Sequence, residues 1–225
     1  MKKFSDQKII ESWKSNVDPW VSAVRNNEIE SRFLITNKAI INAVVKNKVK
    51  SVLDVGCGEG WLVRELNKIG ISSLGVDVVA KFIDSAKKEG GGRYKTVSYE
   101  ELSYSELREA FDSVVCNFSL LGNESVTDLF KKIPSLLNNN GLFIVQTIHP
   151  VVGCGDFNYK DGWREGSWAG FSDNFVDPAP WYFRTMETWK NLFLNNGFRI
   201  SEIIEPINPE TQLAASIIFI GVKGS

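Results

Sequence analysis

The stretch Val52-Leu53-Asp54-Val55-Gly56-Cys57-Gly58-Glu59-Gly60-Trp61 constrains this chain more than any other. An apolar run ending in three glycines at alternating positions predicts a buried strand, a tight turn of bare main chain and the start of a helix. Bare backbone at the positive end of a helix suits a nucleotide-like ligand. The dinucleotide fingerprint G-x-G-x-x-G asks for its third glycine at position 61, where this chain has Trp61. That indole argues against a nicotinamide-dependent oxidoreductase. Asp54, just ahead of Gly56, argues the same way, because its charge repels a diphosphate and attracts an ammonium or a sulfonium.

Beyond Lys50, short apolar runs alternate with amphipathic ones. Residues 51–56, 73–78, 94–99, 111–118 and 141–148 read as strands, and 60–70, 80–90 and 124–139 as helices. This alternation predicts a parallel sheet covered on both faces. Gly70, Gly90 and Gly141 stand where helices are expected to stop, and Pro134 predicts a kink or early break in the third of them. Residues 27–46 place Ile29, Phe33, Ile40, Ile41, Val44 and Val45 near helical spacing, which predicts an amphipathic helix leading into the first strand. After a helix at 186–197, the runs 198–206 and 212–223 follow with no helix between them, as an antiparallel pair does. The expectation is a three-layer α/β, Rossmann-like domain over 1–225. Its seven-stranded sheet is mostly parallel with an antiparallel last strand, preceded by a helical arm at 1–46 and interrupted by an aromatic insertion at 151–184.

Composition narrows the partners. With 26 basic against 27 acidic residues the net charge is -1, so no overall positive field exists to collect nucleic acid or an anionic membrane. The N-terminal residues carry no apolar run of secretory length, and Cys57, Cys116 and Cys154 are widely spaced with no pair suited to zinc or a redox dithiol. A soluble, cytoplasmic protein without a metal site is expected.

Asp77 ends the second strand in LGVDVV, 19 residues beyond Gly58, where a carboxylate can accept both ribose hydroxyls; the alternative is a solvated cap of the next helix. With these residues in hand, the chain resembles the class I S-adenosylmethionine-dependent methyltransferases. VLDVGCGEG matches their first motif and LGVDVV their acidic second strand end, while FDSVVCNFSLL and LLNNNGLFIVQTIHP fit strands four and five. The resemblance runs from Lys50 to the C-terminus. It implies that Asp54, Gly56 and Gly58 border the methionine part, Asp77 and Val78 the ribose, and Asn117 the sulfonium. Arg32, on the helix of the arm, is placed by the same likeness toward the methionine carboxylate; a solvated helix arginine is the alternative. Many members carry an acid after strand three for the adenine amine, where this chain has Ser98, with Tyr99 as an aromatic wall and Glu100 as a second acceptor. DGWRE, WAGF and WYFRTMETW are similar to a bacterial subgroup grouped with quinone-biosynthesis methyltransferases, a likeness that supports the insertion's boundaries.

A sulfonium is an activated methyl donor, so the protein's task is to align an acceptor and exclude water. His149, the only histidine, follows strand five and is the candidate base or orienting group; a ring hydrogen-bonded ahead of Pro150 is the alternative. Trp163, Trp168, Trp181 and Tyr182, with Arg184, suggest a lid over a small-molecule acceptor, against the alternative of core packing. A macromolecular methyltransferase is the second reading, weakened by Asn117-Phe118-Ser119-Leu120 in place of an NPPY-type motif. A non-catalytic cofactor-binding module is the third. The acceptor atom and the oligomeric state stay open.

Overall fold

The apolar runs form the centre of the sheet because their alternate side chains are buried on opposite faces. The computed structural model describes residues 3–224. The arm holds α1 (Asp6–Ser15), α2 (Val17–Arg25), a π-helical turn (Arg32–Thr36) and α3 (Asn37–Lys46). Next come β1 (Ser51–Val55), α4 (Trp61–Lys68), β2 (Ser72–Asp77), α5 (Ala80–Glu89), β3 (Arg93–Thr96) and α6 (Tyr104–Leu107). They are followed by β4 (Phe111–Asn117), α7 (Glu124–Lys132), a 3-10 turn (Ile133–Leu136), β5 (Leu137–Thr147) and α8 (Pro150–Cys154). The insertion contributes β6 (Gly162–Arg164) and β7 (Trp181–Phe183), and α9 (Met186–Asn195), β8 (Phe198–Ile204) and β9 (Ile217–Lys223) close the chain.

The main sheet has the order β3-β2-β1-β4-β5-β9-β8, with β9 antiparallel to both its neighbours and the other neighbouring pairs parallel. Val52 and Val115 pack with Ile40, Val44, Leu62 and Leu66 of α3 and α4 on one face. Leu53, Val55, Val114 and Cys116 pack with Leu129, Phe130 and Phe193 of α7 and α9 on the other. Central strands buried on both faces read as continuous apolar runs, whereas the edge strand β8 alternates. Strand order reverses between β1 and β4, and in open α/β sheets the crevice beyond the carboxyl ends at that point is where ligands bind.

Several boundaries depart from expectation. Pro134 ends α7 at Lys132, the chain tightens into the 3-10 turn, and β5 begins at Leu137. Gly141 therefore lies inside β5 rather than at a helix end, and the left-handed residue there is Asn140 at φ 58°. Gly70 and Gly90 do follow helices in the left-handed region. The helix read at 27–46 begins at Glu30 and carries the π-helical turn before α3. That turn shifts the helical phase, so Phe33 and Val45 stand exposed while Thr36, Ile40, Ala43 and Val44 face inward. Among the described residues no helix is long and apolar enough to cross a membrane.

Candidate functional site

One cavity of about 680 Å³ opens beyond the carboxyl ends of β1, β2 and β4, within the size range of sites that enclose a drug-sized ligand, about 300–1,000 Å³. Its floor is the glycine loop. Gly56 and Cys57 donate backbone N–H groups to the Val76 carbonyl, and Gly60, at φ 82°, caps α4. A Cβ on Gly56 would lie 2.4 Å from Ser119 Cβ, and one on Gly60 2.5 Å from the Tyr94 ring, so both are required by the protein's own packing. Gly58 differs: at φ 55° its missing Cβ has only Trp20 Nε1 nearby, at 3.8 Å. Its bare face opens into the cavity, where a ligand can lie against the backbone.

Three charged groups surround this loop. Asp77 is half-buried at the end of β2; one oxygen accepts from Gly58 N–H at 2.9 Å and the other from Val79 N–H at 2.8 Å. Burial lifts its carboxyl to about 6, against the pull of these backbone donors. Asp54 is buried in β1 with Oδ1 unpartnered among the described residues, and burial followed by the charge of Asp77 lifts it to about 7, opposed by Arg32. Arg32 lies in the π-helical turn, its guanidinium carbon 5.3 Å from the Trp20 ring centre and 5.2 Å from that of Trp61. Burial lowers this guanidinium to about 10, so it stays charged at neutral pH between the two indoles. An unmatched buried carboxyl beside Asp77, with a cation at the rim, matches a ligand that carries both a positive centre and a carboxylate.

Glu59 ties the loop to its surroundings. It is 1% exposed, meets Arg64 through both oxygens at 2.7 and 2.6 Å, and accepts from Arg25 Nε at 3.0 Å. Arg25 belongs to α2, so the arm is anchored on the loop. Val78, Val79 and Phe82 form one apolar wall and Tyr99 another, its hydroxyl donating to the Ser119 carbonyl at 3.0 Å. Asn117 lines the cavity at the end of β4, its side-chain oxygen buried and unpartnered among the described residues. Burial pushes the Cys57 and Cys116 thiols up, which leaves both protonated and unreactive.

Of the residues expected at the cofactor, Arg32, Gly56, Gly58, Asp77, Val78, Tyr99 and Asn117 line the cavity, and Asp54 sits beneath it. Ser98 does not line it: its hydroxyl accepts from Glu101 N–H in a local turn, and the neighbouring Glu100 is the acid at the rim. His149 also lies outside. The chain turns away after β5, and the imidazole accepts from Val152 N–H at the start of α8 and meets Glu205 at 2.7 Å. It shares a separate cleft with Trp181, Tyr182 and Arg184. Arg184 is buried, donating to the Gly122 and Asn123 carbonyls, and burial lowers it to about 10.

The insertion is not the cavity's roof; α1 and α2 are. Ile9, Ile10 and Trp13 of α1 and Trp20 of α2 line the cavity, and the insertion packs behind them. Trp168 meets Trp13 at 5.7 Å and Phe171 meets Trp20 at 6.3 Å, while Trp163 lies 5.6 Å from Tyr182. Asn16 holds both backbone groups of Val176, at 2.7 and 2.8 Å. At its other end α1 caps α7: Asp6 accepts from Asn123 N–H at 2.8 Å and Ser125 N–H at 2.6 Å. The roofing residues went unassigned in the sequence, although Trp13 and Trp20 on consecutive helices before the first strand were a visible signal.

Comparison with known proteins agrees with this geometry. The family described as "Methyltransferase domain" matches residues 30–203. An uncharacterized protein of Haemophilus influenzae is 25% identical over 221 residues, covering 86% of this chain and 85% of that one. A ubiquinone biosynthesis O-methyltransferase of Bradyrhizobium diazoefficiens is 31% identical over 100 residues, covering 44% of this chain and 40% of that protein. The crystal structure of a Listeria monocytogenes protein assigned to the S-adenosylmethionine-dependent methyltransferases superposes with a TM-score of 0.63 at 25% identity, covering 78% of this chain and 90% of that one.

Proposed function

The chain belongs to the methyltransferase-domain family, and from that membership we propose that it transfers the methyl group of S-adenosylmethionine to a small-molecule acceptor. The observation that carries the reading is the bare face of Gly58 beside the Asp77 carboxylate on the floor of one cavity. These fit the donor's parts. The backbone of Gly56 and Gly58 takes the amino-acid end, with Arg32 toward its carboxylate and Asp54 supplying negative potential from below. Asp77 keeps lone pairs for the ribose hydroxyls beyond its two backbone bonds. Val78, Val79, Phe82 and Tyr99 would hold the adenine through their apolar surfaces, with Glu100 in the place expected of Ser98.

The sulfonium supplies an activated methyl carbon; the chain's share is alignment and exclusion of water, which α1 and α2 provide as roof. A small-molecule acceptor is supported by the near-zero net charge, which offers no steering field for RNA or DNA, and by the likeness to the ubiquinone biosynthesis O-methyltransferase of Bradyrhizobium diazoefficiens. A cytoplasmic location belongs to the same reading, supported by three buried free thiols. Calorimetry with S-adenosylmethionine, S-adenosylhomocysteine and NAD tests it: the two sulfur compounds bind and NAD does not. NAD binding in their place removes the proposal, and steeply salt-dependent acceptor binding restores the macromolecular alternative.

A further inference from the structure

The turn between β4 and α7 is held from two sides by opposite charges that do not touch. On one side its consecutive carbonyls face β7 and the residue after it: Leu121 accepts from Tyr182 N–H at 2.8 Å, and Gly122 and Asn123 accept from the Arg184 guanidinium at 2.7 and 3.0 Å. On the other, the Asp6 carboxylate accepts from Asn123 N–H at 2.8 Å and Ser125 N–H at 2.6 Å. The Gly122 carbonyl and the Asn123 N–H belong to one peptide group. That group carries a cation at its oxygen and an anion at its hydrogen, and both polarise it in the same sense, so each charge-assisted bond strengthens the other. Gly122 is bare where the carboxylate docks, since a Cβ there would lie 3.0 Å from the Asp6 carboxyl carbon. Arg184 is fixed in place: it is 3% exposed, with its guanidinium carbon 4.9 Å from the Tyr182 ring centre and 5.3 Å from that of Trp189. Burial works against its charge, and Asp6, one peptide away, is among the groups that favour it. Asp6 in turn begins α1. The other side-chain hydrogen bonds that leave α1 among the described residues, from Lys8 and Ser12 to Asp177 at 2.5 Å each, end on the insertion, so Asp6 is the helix's hydrogen-bonded link to the body that carries the sheet.

Resting on the methyltransferase reading, we propose that Arg184 is a positioning residue that acts with Asp6, through the Gly122–Asn123 peptide, as a latch that holds α1 closed over the cavity and sets how fast the spent cofactor leaves. Arg184 does not line the cavity; its influence passes through a main-chain group. Removing the guanidinium weakens the grip of Asn123 N–H on Asp6, and removing the carboxylate leaves the guanidinium nothing to reinforce. The two residues therefore act as one unit, although no atom of either bonds to the other.

The test is a double-mutant cycle on the full chain with two readouts: amide hydrogen exchange of the free protein, and S-adenosylhomocysteine dissociation followed by stopped flow through the indoles of Trp13, Trp20 and Trp61, which line the cavity. Asp6→Ala and Arg184→Met each speed both α1 exchange and S-adenosylhomocysteine release about tenfold, while exchange in α9, which follows Arg184 in the chain, stays within about twofold. The variant carrying both changes lies within about twofold of the faster single one, not about 100-fold above wild type. Arg184→Lys, which keeps the charge, stays within about threefold of wild type, and its cycle with Asp6→Ala reads the coupling if the methionine variant does not fold. Arg199→Ala, on the exposed side of the edge strand, behaves as wild type. Single effects that multiply, exchange that rises in α9 and not in α1, or wild-type release and exchange in both single variants overturn the latch. Wild-type protein that binds no S-adenosylhomocysteine defeats the underlying methyltransferase reading instead, and the exchange cycle still decides the latch.

Discussion

Alanine at Gly56 and at Gly58 makes the same chemical change two residues apart, and the structure assigns the two opposite consequences. Both positions have positive φ, 75° and 55°, so an alanine costs about 1–2 kcal/mol in backbone conformation at either. The lower chain entropy of the unfolded alanine variant returns about 0.4–1 kcal/mol. At Gly58 little else happens in the free protein, since the new methyl has only Trp20 Nε1 at 3.8 Å. At Gly56 it meets Ser119 Cβ at 2.4 Å. Ser119 cannot retreat freely: its hydroxyl donates to the Val55 carbonyl at 2.7 Å and its own carbonyl holds the Tyr99 hydroxyl at 3.0 Å. Overpacking of this kind adds about 1–3 kcal/mol. Gly58→Ala should therefore lose about 1 kcal/mol and Gly56→Ala about 2–4 kcal/mol. At about 3 °C per kcal/mol for a chain of this size, the melting temperatures fall by about 3 °C and about 6–12 °C. Cofactor affinity reverses the emphasis, because the Gly58 methyl occupies the donor's contact surface: Gly58→Ala loses at least about tenfold in S-adenosylhomocysteine binding despite its small thermal cost. Scanning calorimetry and titration calorimetry on both variants read this directly. Equal thermal losses, or wild-type affinity in Gly58→Ala, would refute the assignment of Gly58 to the ligand.

Three further outcomes are expected. Because the folded carboxyls of Asp77 and Asp54 are raised to about 6 and about 7, their contribution to stability is complete below the ordinary carboxylate range and is lost as pH rises through 6 to 7; a cationic donor favours the charged forms, so its affinity falls as pH drops below 7, by up to about tenfold per pH unit for each carboxyl that ionises on binding. Titrations at pH 5 to 8 that show flat or rising affinity toward acid contradict this. Asp6→Ala uncaps α7 and costs about 1–2 kcal/mol, a fall of about 3–6 °C in melting temperature that Asp6→Asn recovers only in part, because one of the two accepting oxygens becomes an NH2 group. His149→Ala lowers stability by about 1 kcal/mol through the α8 cap but keeps kcat/KM within about threefold, and a loss of two orders of magnitude would return the imidazole to the reaction.

The sheet was legible because its central strands, buried on both faces, are written as unbroken apolar runs, and because the crossovers between them follow the usual alternation. The cradle was legible for a local reason: Gly56, Gly58 and Asp77 act within one βαβ unit. What escaped depends on contacts between distant segments. Asn16 finds Val176 across 160 residues and Asp6 finds Asn123 across 117, so nothing near Trp13 announces that it belongs to a roof. The insertion's rings were visible as too numerous for a solvated loop, but their partners, Trp13 and Trp20, lie in the arm. His149 follows the correct end of β5, and Pro150, which starts α8, turns it aside. Ser98 aligned with the expected acceptor, yet its hydroxyl is consumed by a turn that propensity alone does not pinpoint.

The shared family region begins at residue 30, whereas the helices that close the cavity end at Arg25. The helices that roof the cavity thereby lie ahead of the region that the methyltransferase-domain family matches. A version trimmed to the common region keeps the donor's floor and forfeits the ceiling, and exchanging the first two helices between relatives becomes a direct route to altered selectivity, provided the segment around Val176 travels with them.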